Sequence, residues 1–384
     1  MTQTAIVLGA GVGGMVAANE LRKRTAKTDR IILVDRNPIH LFAPSLLWLA
    51  VGTRTATEIQ RPVHALLRRG IEFVQGNVDS IDPTNRTVTV GEQRFAADAI
   101  VIALGAELAP EAIPGLVEAG HNFYTLEGAQ SLRDALKEFT GGKVIVLTAA
   151  PLYKCPAAPY EAAMLIEDSL RKRGIRGRAT IEMYAAEPAP MAVAGPAVSD
   201  AIKAMLASKG IAYSSNRQVA SVDPVAHVIT FADGASAAYD VLAYVPPHRA
   251  PSIVANSGLG GETGWIPVSR STLETTHKDV YAIGDIVTIP LSMGKPLPKA
   301  GVFADAEATV VARNIADAWR SQSALSAFDG HGACFVESGD GKAAMGSGNF
   351  FAEPSPQINL KAPSVLWHMA KVVFEKRWLK WWAF

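Results

Sequence analysis

A chain of 384 residues with 49% hydrophobic side chains can bury more than one core, which excludes a disordered protein, and a formal charge of +1 excludes broad electrostatic capture of nucleic acid. Two cysteines, far apart and without a zinc-type pair, exclude a disulfide-rich secreted scaffold, so no metal is expected and any bond between them is expected to be redox-active rather than structural. No stretch reaches the ~20 apolar residues of a membrane-spanning helix, and AIVLGAG follows the N-terminus without a leader pattern, so a cytoplasmic start and no transmembrane helix are expected.

Residues 5–8 read as a buried parallel strand, and Gly9, Gly11 and Gly14 follow in GxGxxG spacing ahead of a helical stretch ending near Lys23. The three glycines meet separate needs: a tight turn, backbone approach to a pyrophosphate, and close packing of helix on strand. A second strand at 31–34 delivers Asp35 about 20 residues beyond the last glycine, where a carboxylate accepts from the ribose hydroxyls of an adenine dinucleotide. Strand, helix, strand and acid in register predict a dinucleotide site. Residues 77–95 then read as a small antiparallel meander, and 98–104 as a buried strand ending at Gly105.

Residues 143–147 predict another strand, but TAAPLYKCPAAP follows where a second GxGxxG would open a nicotinamide site. The next strand, 180–184, leads to Glu187, a candidate ribose partner that without the glycines is expected to be structural, and NADH binding is not expected. Pro156 suits a first helical position and Cys155 the position before it, where free amides and the helix dipole favour a thiolate, with Lys154 adding charge. The alternative for Cys155 is a small buried apolar residue. Arg171, Lys172, Arg173 and Gly174 predict the end of that helix.

Residues 280–285 repeat the strand-then-glycine pattern, with Gly284 and then Asp285, a partner for the hydroxyls of a buried flavin ribityl chain or else a cap or turn residue. This set resembles the two-dinucleotide-binding-domain flavoproteins over nearly the whole chain. The resemblance implies an α/β fold with two Rossmann-like domains: 1–130 and 247–320 as a discontinuous FAD-binding domain, 131–246 as an inserted domain carrying Cys155, and 321–384 as a C-terminal region carrying Cys334.

Cys334 lies in a glycine-rich stretch that predicts a hairpin. KCPAAPYE at 154–161, LPKAGVFADAEA at 297–308 and ACFVESGDGKA at 333–343 are similar to the sulfide:quinone oxidoreductases and the flavoprotein subunit of flavocytochrome c sulfide dehydrogenase. This resemblance implies that both cysteines stand on one side of a flavin. Sulfide then attacks a Cys155–Cys334 disulfide or polysulfide bridge, and the thiolate released passes two electrons to the flavin. It implies a proton-handling role for Glu161, against the alternative of an exposed helix glutamate. It also implies FAD contacts at Gly9, Gly11, Gly14, Asp35, Arg36, Ser45, Val78, Gly105, Gly284, Asp285, Lys299 and Gly301, the last two at a helix start suited to negative charge on a reduced flavin. The chain departs from these relatives in lacking a third cysteine, a histidine in the AGPA stretch at 194–197, and a cysteine after Asp35 to link FAD, so the FAD is expected to be noncovalent.

Residues 363–384 hold four of the chain's seven tryptophans, and Trp367, Ala370, Phe374, Trp378 and Trp381 share a helical face from which Lys371, Glu375, Lys376 and Lys380 are largely excluded. Such a helix lies in a lipid interface, or else packs on the protein or in a homo-oligomer contact. The first case predicts a peripheral protein on the cytoplasmic side of the membrane, with a quinone acceptor entering near Phe350 and Phe351. Three readings compete with a sulfide:quinone oxidoreductase: a sulfide dehydrogenase donating to a cytochrome c, a type II NADH:quinone reductase, and a non-enzymatic flavin redox sensor.

Overall fold

In the computed structural model, residues 2–322 and 325–381 are described, the side chain of Trp381 excepted. Two five-stranded sheets frame the molecule. The first runs Val280–Ala282, Ala99–Ile102, Thr4–Leu8, Arg30–Asp35, Ile71–Gln75, all parallel. Its inner strands are continuous apolar runs because helices cover both faces, and Ala5 to Leu8 have no exposed surface. Helix Val12–Arg24 leaves the first strand so tightly that a Cβ on Gly14 would lie 1.7 Å from the Gly9 carbonyl oxygen, while Gly9 turns the chain at φ +98°. Helix Gly301–Trp319 packs against it.

The second sheet runs His121–Asn122, Val241–Val245, Gly142–Thr148, Ala179–Ala185, Ile211–Ser214, also parallel. Position 131 falls inside helix Leu126–Glu138, whose Ala129, Leu132 and Leu136 pack with Val144 and Val146 of this sheet, so the segment from His121 onward shares the second core rather than the first. The meander expected at 77–95 forms strands Val78–Asp82, Thr87–Val90 and Gln93–Ala96. A counterpart at Val219–Asp223, Val228–Phe231 and Ser236–Ala238 was not foreseen.

A three-stranded antiparallel sheet, His331–Gly339, Lys342–Asn349 and Gln357–Ser364, leads straight into helix Val365–Trp381. Together they tie the two cores, since Trp378 and Leu379 pack into the first, and Val336 and Ala344 into the second. The helix does not present the face the sequence predicts. Lys371, Glu375 and Trp378 point inward at 7%, 4% and 3% exposure, while Val365, Leu366, Met369 and Val373 stand at least half exposed. Its interior face is charged because partners elsewhere in the fold neutralise it.

Candidate active site

The glycine-rich loop leaves an anion cradle. Ala10 N–H donates to Asp35 Oδ2 at 2.6 Å and Asn37 N–H to Oδ1 at 2.7 Å, which fixes the acid at the loop's edge. A Cβ on Gly11 or on Gly105 would meet nothing within 4 Å, so both sit on open space. Across the sheet Gly284 turns at φ +76° and donates its N–H to Glu307 Oε2 at 2.6 Å, a carboxyl that burial pushes up to about 8. Asp285 follows with a buried Oδ1 that has no hydrogen-bond partner, and burial raises its pKa against the pull of Lys154 and Lys299. An orphaned carboxylate oxygen is what a ribityl hydroxyl would satisfy. Lys299 Nζ donates to the Asp285 and Val287 carbonyls at 2.6 and 3.0 Å and sits 3.5 Å from the centroid of Trp265, and burial lowers its pKa to about 8. The residues present therefore fit FAD, with Gly9, Gly11, Gly14 and Asp35 at one end and Asp285, Lys299 and Gly301 at the other.

Three expected contacts lie differently. Arg36 is exposed beside Asp35, and Val78 is half-buried against the first core. Ser45 is buried but turns its hydroxyl to Glu375 Oε1 at 2.6 Å, toward the C-terminal helix.

The cysteines come from different elements. Helix Ala158–Lys172 starts later than expected, with Ala157 as its cap and Pro159 in its first turn. Cys155 precedes the cap and holds a left-handed backbone at φ +53°, a strain of about 1–3 kcal/mol that persists only where neighbours enforce it. Cys155 N–H donates to the Lys299 carbonyl at 2.7 Å, and Tyr124 Oη–H lies 2.9 and 3.1 Å from the carbonyls of Lys154 and Cys155. Cys334 lies on strand His331–Gly339 in register with Gly346. Both thiols are free. The surroundings do not favour the thiolate expected at a helix start: desolvation raises the Cys155 pKa above the usual thiol value, with Cys334 and then Glu161 adding to the rise. Burial and then Glu161 push Cys334 up to about 12, and Lys371 draws both thiols down.

Beside the pair lies a buried ionic cluster. Glu161, 3% exposed and so not a surface glutamate, accepts at Oε2 from Glu337 N–H at 2.9 Å and from Lys371 Nζ at 2.8 Å. Lys371 is 3.9 Å from Glu337, whose carboxylate meets His368 Nδ1 at 3.0 Å. Burial pulls the Lys371 pKa down, yet Glu161 and Glu337 hold it above its ordinary value, and burial raises Glu337.

Residues 3–308 match the family model described as pyridine nucleotide-disulphide oxidoreductase. The chain belongs to this family. It is 28% identical over 99% of its length to 91% of the sulfide-quinone reductase of Aquifex aeolicus, and 23% identical over 91% to 78% of the mitochondrial sulfide:quinone oxidoreductase of Mus musculus. The X-ray structure of the Aquifex aeolicus sulfide:quinone oxidoreductase superposes with a TM-score of 0.88 at 25% identity, covering 98% of this chain and 90% of that one.

In this pyridine nucleotide-disulphide oxidoreductase the carboxylate that follows strand Ala179–Ala185 is bonded within the protein. Glu187 accepts from Thr148 Oγ1, Tyr153 Oη and Tyr160 Oη, each at 2.6 Å. Phe350 meets Phe303 edge-on at 5.0 Å, and Phe351 meets Phe328 at 5.3 Å beneath the Arg270 guanidinium. The residues missed by sequence reasoning are Lys371, Glu337 and His368. The signal for the two helical residues is that His368, Lys371 and Glu375 share one helical stripe, and for Glu337 its place in the motif at 333–343.

With both thiol pKa values raised, alkylation of the reduced oxidoreductase by iodoacetamide at pH 8 is expected to be at least ~100-fold slower than that of free cysteine. The rate is expected to rise about tenfold per pH unit up to pH 10. A plateau near neutral pH, followed by peptide mass spectrometry, would show a thiolate and refute this electrostatic account.

Proposed function

We propose that this chain is a peripheral membrane flavoenzyme that oxidises sulfide to sulfane sulfur or polysulfide through Cys155 and Cys334 and passes the electrons to a quinone. One observation carries the reading: two half-buried cysteines from distant elements lie beside the buried Glu161 and Lys371, next to the loop in which Lys299 bonds to Cys155. The names of the relatives at 28% and 23% identity support the same substrate pair.

In the oxidised enzyme HS⁻ attacks the Cys155–Cys334 disulfide; one S–S bond forms, one breaks, and the products are a cysteine persulfide and a cysteine thiolate. The thiolate is costly in a buried site, and the Lys371 ammonium, which lowers both thiol pKa values, stabilises it. Glu161 stands where it can take the remaining proton of the persulfide. FAD bound noncovalently by Gly9, Gly11, Gly14, Asp35, Asp285 and Lys299 would supply a two-electron acceptor, so that the persulfide and the thiolate close to a trisulfide between Cys155 and Cys334, from which a second HS⁻ carries the sulfane sulfur away as HSS⁻ and leaves the disulfide. The closed Glu187 position favours electrons entering from sulfur rather than from a nicotinamide.

Membrane contact is assigned to the outward face of helix Val365–Trp381. Val365, Leu366, Met369 and Val373 are 50–67% exposed, and Lys376, Arg377 and Lys380 are exposed beyond them, a pattern suited to an anionic lipid surface on the cytoplasmic side. Among the described residues no helix is long and apolar enough to cross a membrane. The quinone is assigned an entry near Phe350 and Phe351.

Anaerobic sulfide is expected to bleach the oxidised flavin absorbance and decylubiquinone to restore it, and Cys334→Ser should slow the bleaching at least ~100-fold. Bleaching by NADH but not by sulfide, or full speed in the serine variant, would reject the assignment. Leu366→Glu with Val373→Glu should weaken cosedimentation with anionic liposomes at least ~10-fold, and unchanged binding would remove the helix from the membrane contact.

A further inference from the structure

We propose that the C-terminal helix orients the FAD-binding loop through one histidine tautomer, which makes Trp378 and His40 positioning residues for the cofactor; this rests on the reading of the glycine-rich loop as the FAD site. Trp378 Nε1–H can only donate, and it lies 2.9 Å from His40 Nε2. That nitrogen must therefore accept, which leaves the imidazole proton on Nδ1. His40 Nδ1 is 2.9 Å from the carbonyl oxygen of Ala10, an acceptor only, so the second bond requires the same tautomer. Both side chains are buried, at 3% and 4% exposure, their rings are stacked at 6.0 Å, and burial lowers the His40 pKa against the pull of the Ala10 carbonyl and of Asp35.

Ala10 is the middle residue of Gly9-Ala10-Gly11. Its N–H is already held by Asp35 at 2.6 Å, so both polar groups of this residue have fixed directions. The peptide joining Ala10 to Gly11 is planar and trans, so turning the Ala10 carbonyl onto His40 turns the Gly11 N–H the opposite way. As one of the first amides of helix Val12–Arg24, that N–H has no partner within the helix and is suited to a phosphate oxygen. The order Trp378, His40, Ala10, Gly11 thus carries the seating of the last helix to the anion-binding amide. One turn earlier on the same helix, Glu375 accepts from Ser45 Oγ at 2.6 Å and from Arg54, which clamps the segment following His40. The burial of Ser45 belongs to this clamp.

The experiment is a double-mutant cycle on the holoenzyme, with FAD release after dilution followed by flavin fluorescence. Trp378→Phe keeps the ring and removes the donor, and it should speed release about fivefold. His40→Leu should speed release at least as much, and the double variant should release FAD no faster than His40→Leu alone. A general packing role would instead make the two effects multiply, which would overturn the proposal, as would wild-type release from Trp378→Phe. If His40→Leu does not fold, the release rate of Trp378→Phe decides alone. A wild-type protein that takes up no FAD fails the site assignment itself, whereas a loaded wild type with an unaffected Trp378→Phe fails only this inference.

Discussion

Lys371 places a positive charge from the last helix 2.8 Å from Glu161 and 3.9 Å from Glu337, in a region where neither carboxylate faces water. Two buried carboxylates side by side are strongly unfavourable, and taking away the cation that neutralises such a group costs about 3–5 kcal/mol. The packing of three elements depends on this contact. Glu161 comes from the first turn of helix Ala158–Lys172, Glu337 from the strand that carries Cys334, and Lys371 from helix Val365–Trp381. Once they are joined, Cys334 is fixed three residues from Glu337, and Cys155 is fixed ahead of the helix that bears Glu161. The same charge opposes the desolvation that raises both thiol pKa values. Under the proposed function it would stabilise a thiolate that appears during reaction.

The C-terminal helix presents two unlike faces with one sequence. Its inward face carries His368, Lys371, Glu375 and Trp378, each with a named partner in the protein, and its outward face carries the apolar side chains. This inverts the pattern of an ordinary surface helix. Water disfavours the outward face, and the inward face is stable only against Glu161, Glu337, Ser45, Arg54 and His40. The lipid surface proposed for the outward face would satisfy it, as the buried partners satisfy the inward one.

Much of this was legible in the chain. The buried runs AIVL, IILV and VIVL have no polar residue to break them, and only glycine fits where a Cβ would strike a carbonyl, so the two sheets and the loop at Gly9 to Gly14 follow from local constraints. Asp35 and Asp285 follow because each closes a strand. The cysteine pair was reached through motif resemblance, since nothing local links Cys155 to Cys334. What escaped is set by distant partners. The left-handed backbone of Cys155 depends on the Lys299 carbonyl and on Tyr124, and neither is near it in sequence. The helical face was misassigned because the aromatic residues were read as one face opposed to the charged ones, whereas Glu161 and Glu337 draw Lys371 inward and His40 draws in Trp378. Glu187 was expected to be structural because the glycines are missing, but nothing local shows that three hydroxyls close around it.

The central claim is that Cys155 and Cys334 carry the sulfur, and the most direct measurement is peptide mass spectrometry after a single anaerobic exposure of the oxidised protein to sulfide without quinone. The account predicts one added sulfur atom on the peptide of one of these cysteines, formed together with flavin reduction. Reduced flavin with both cysteines unmodified would contradict it.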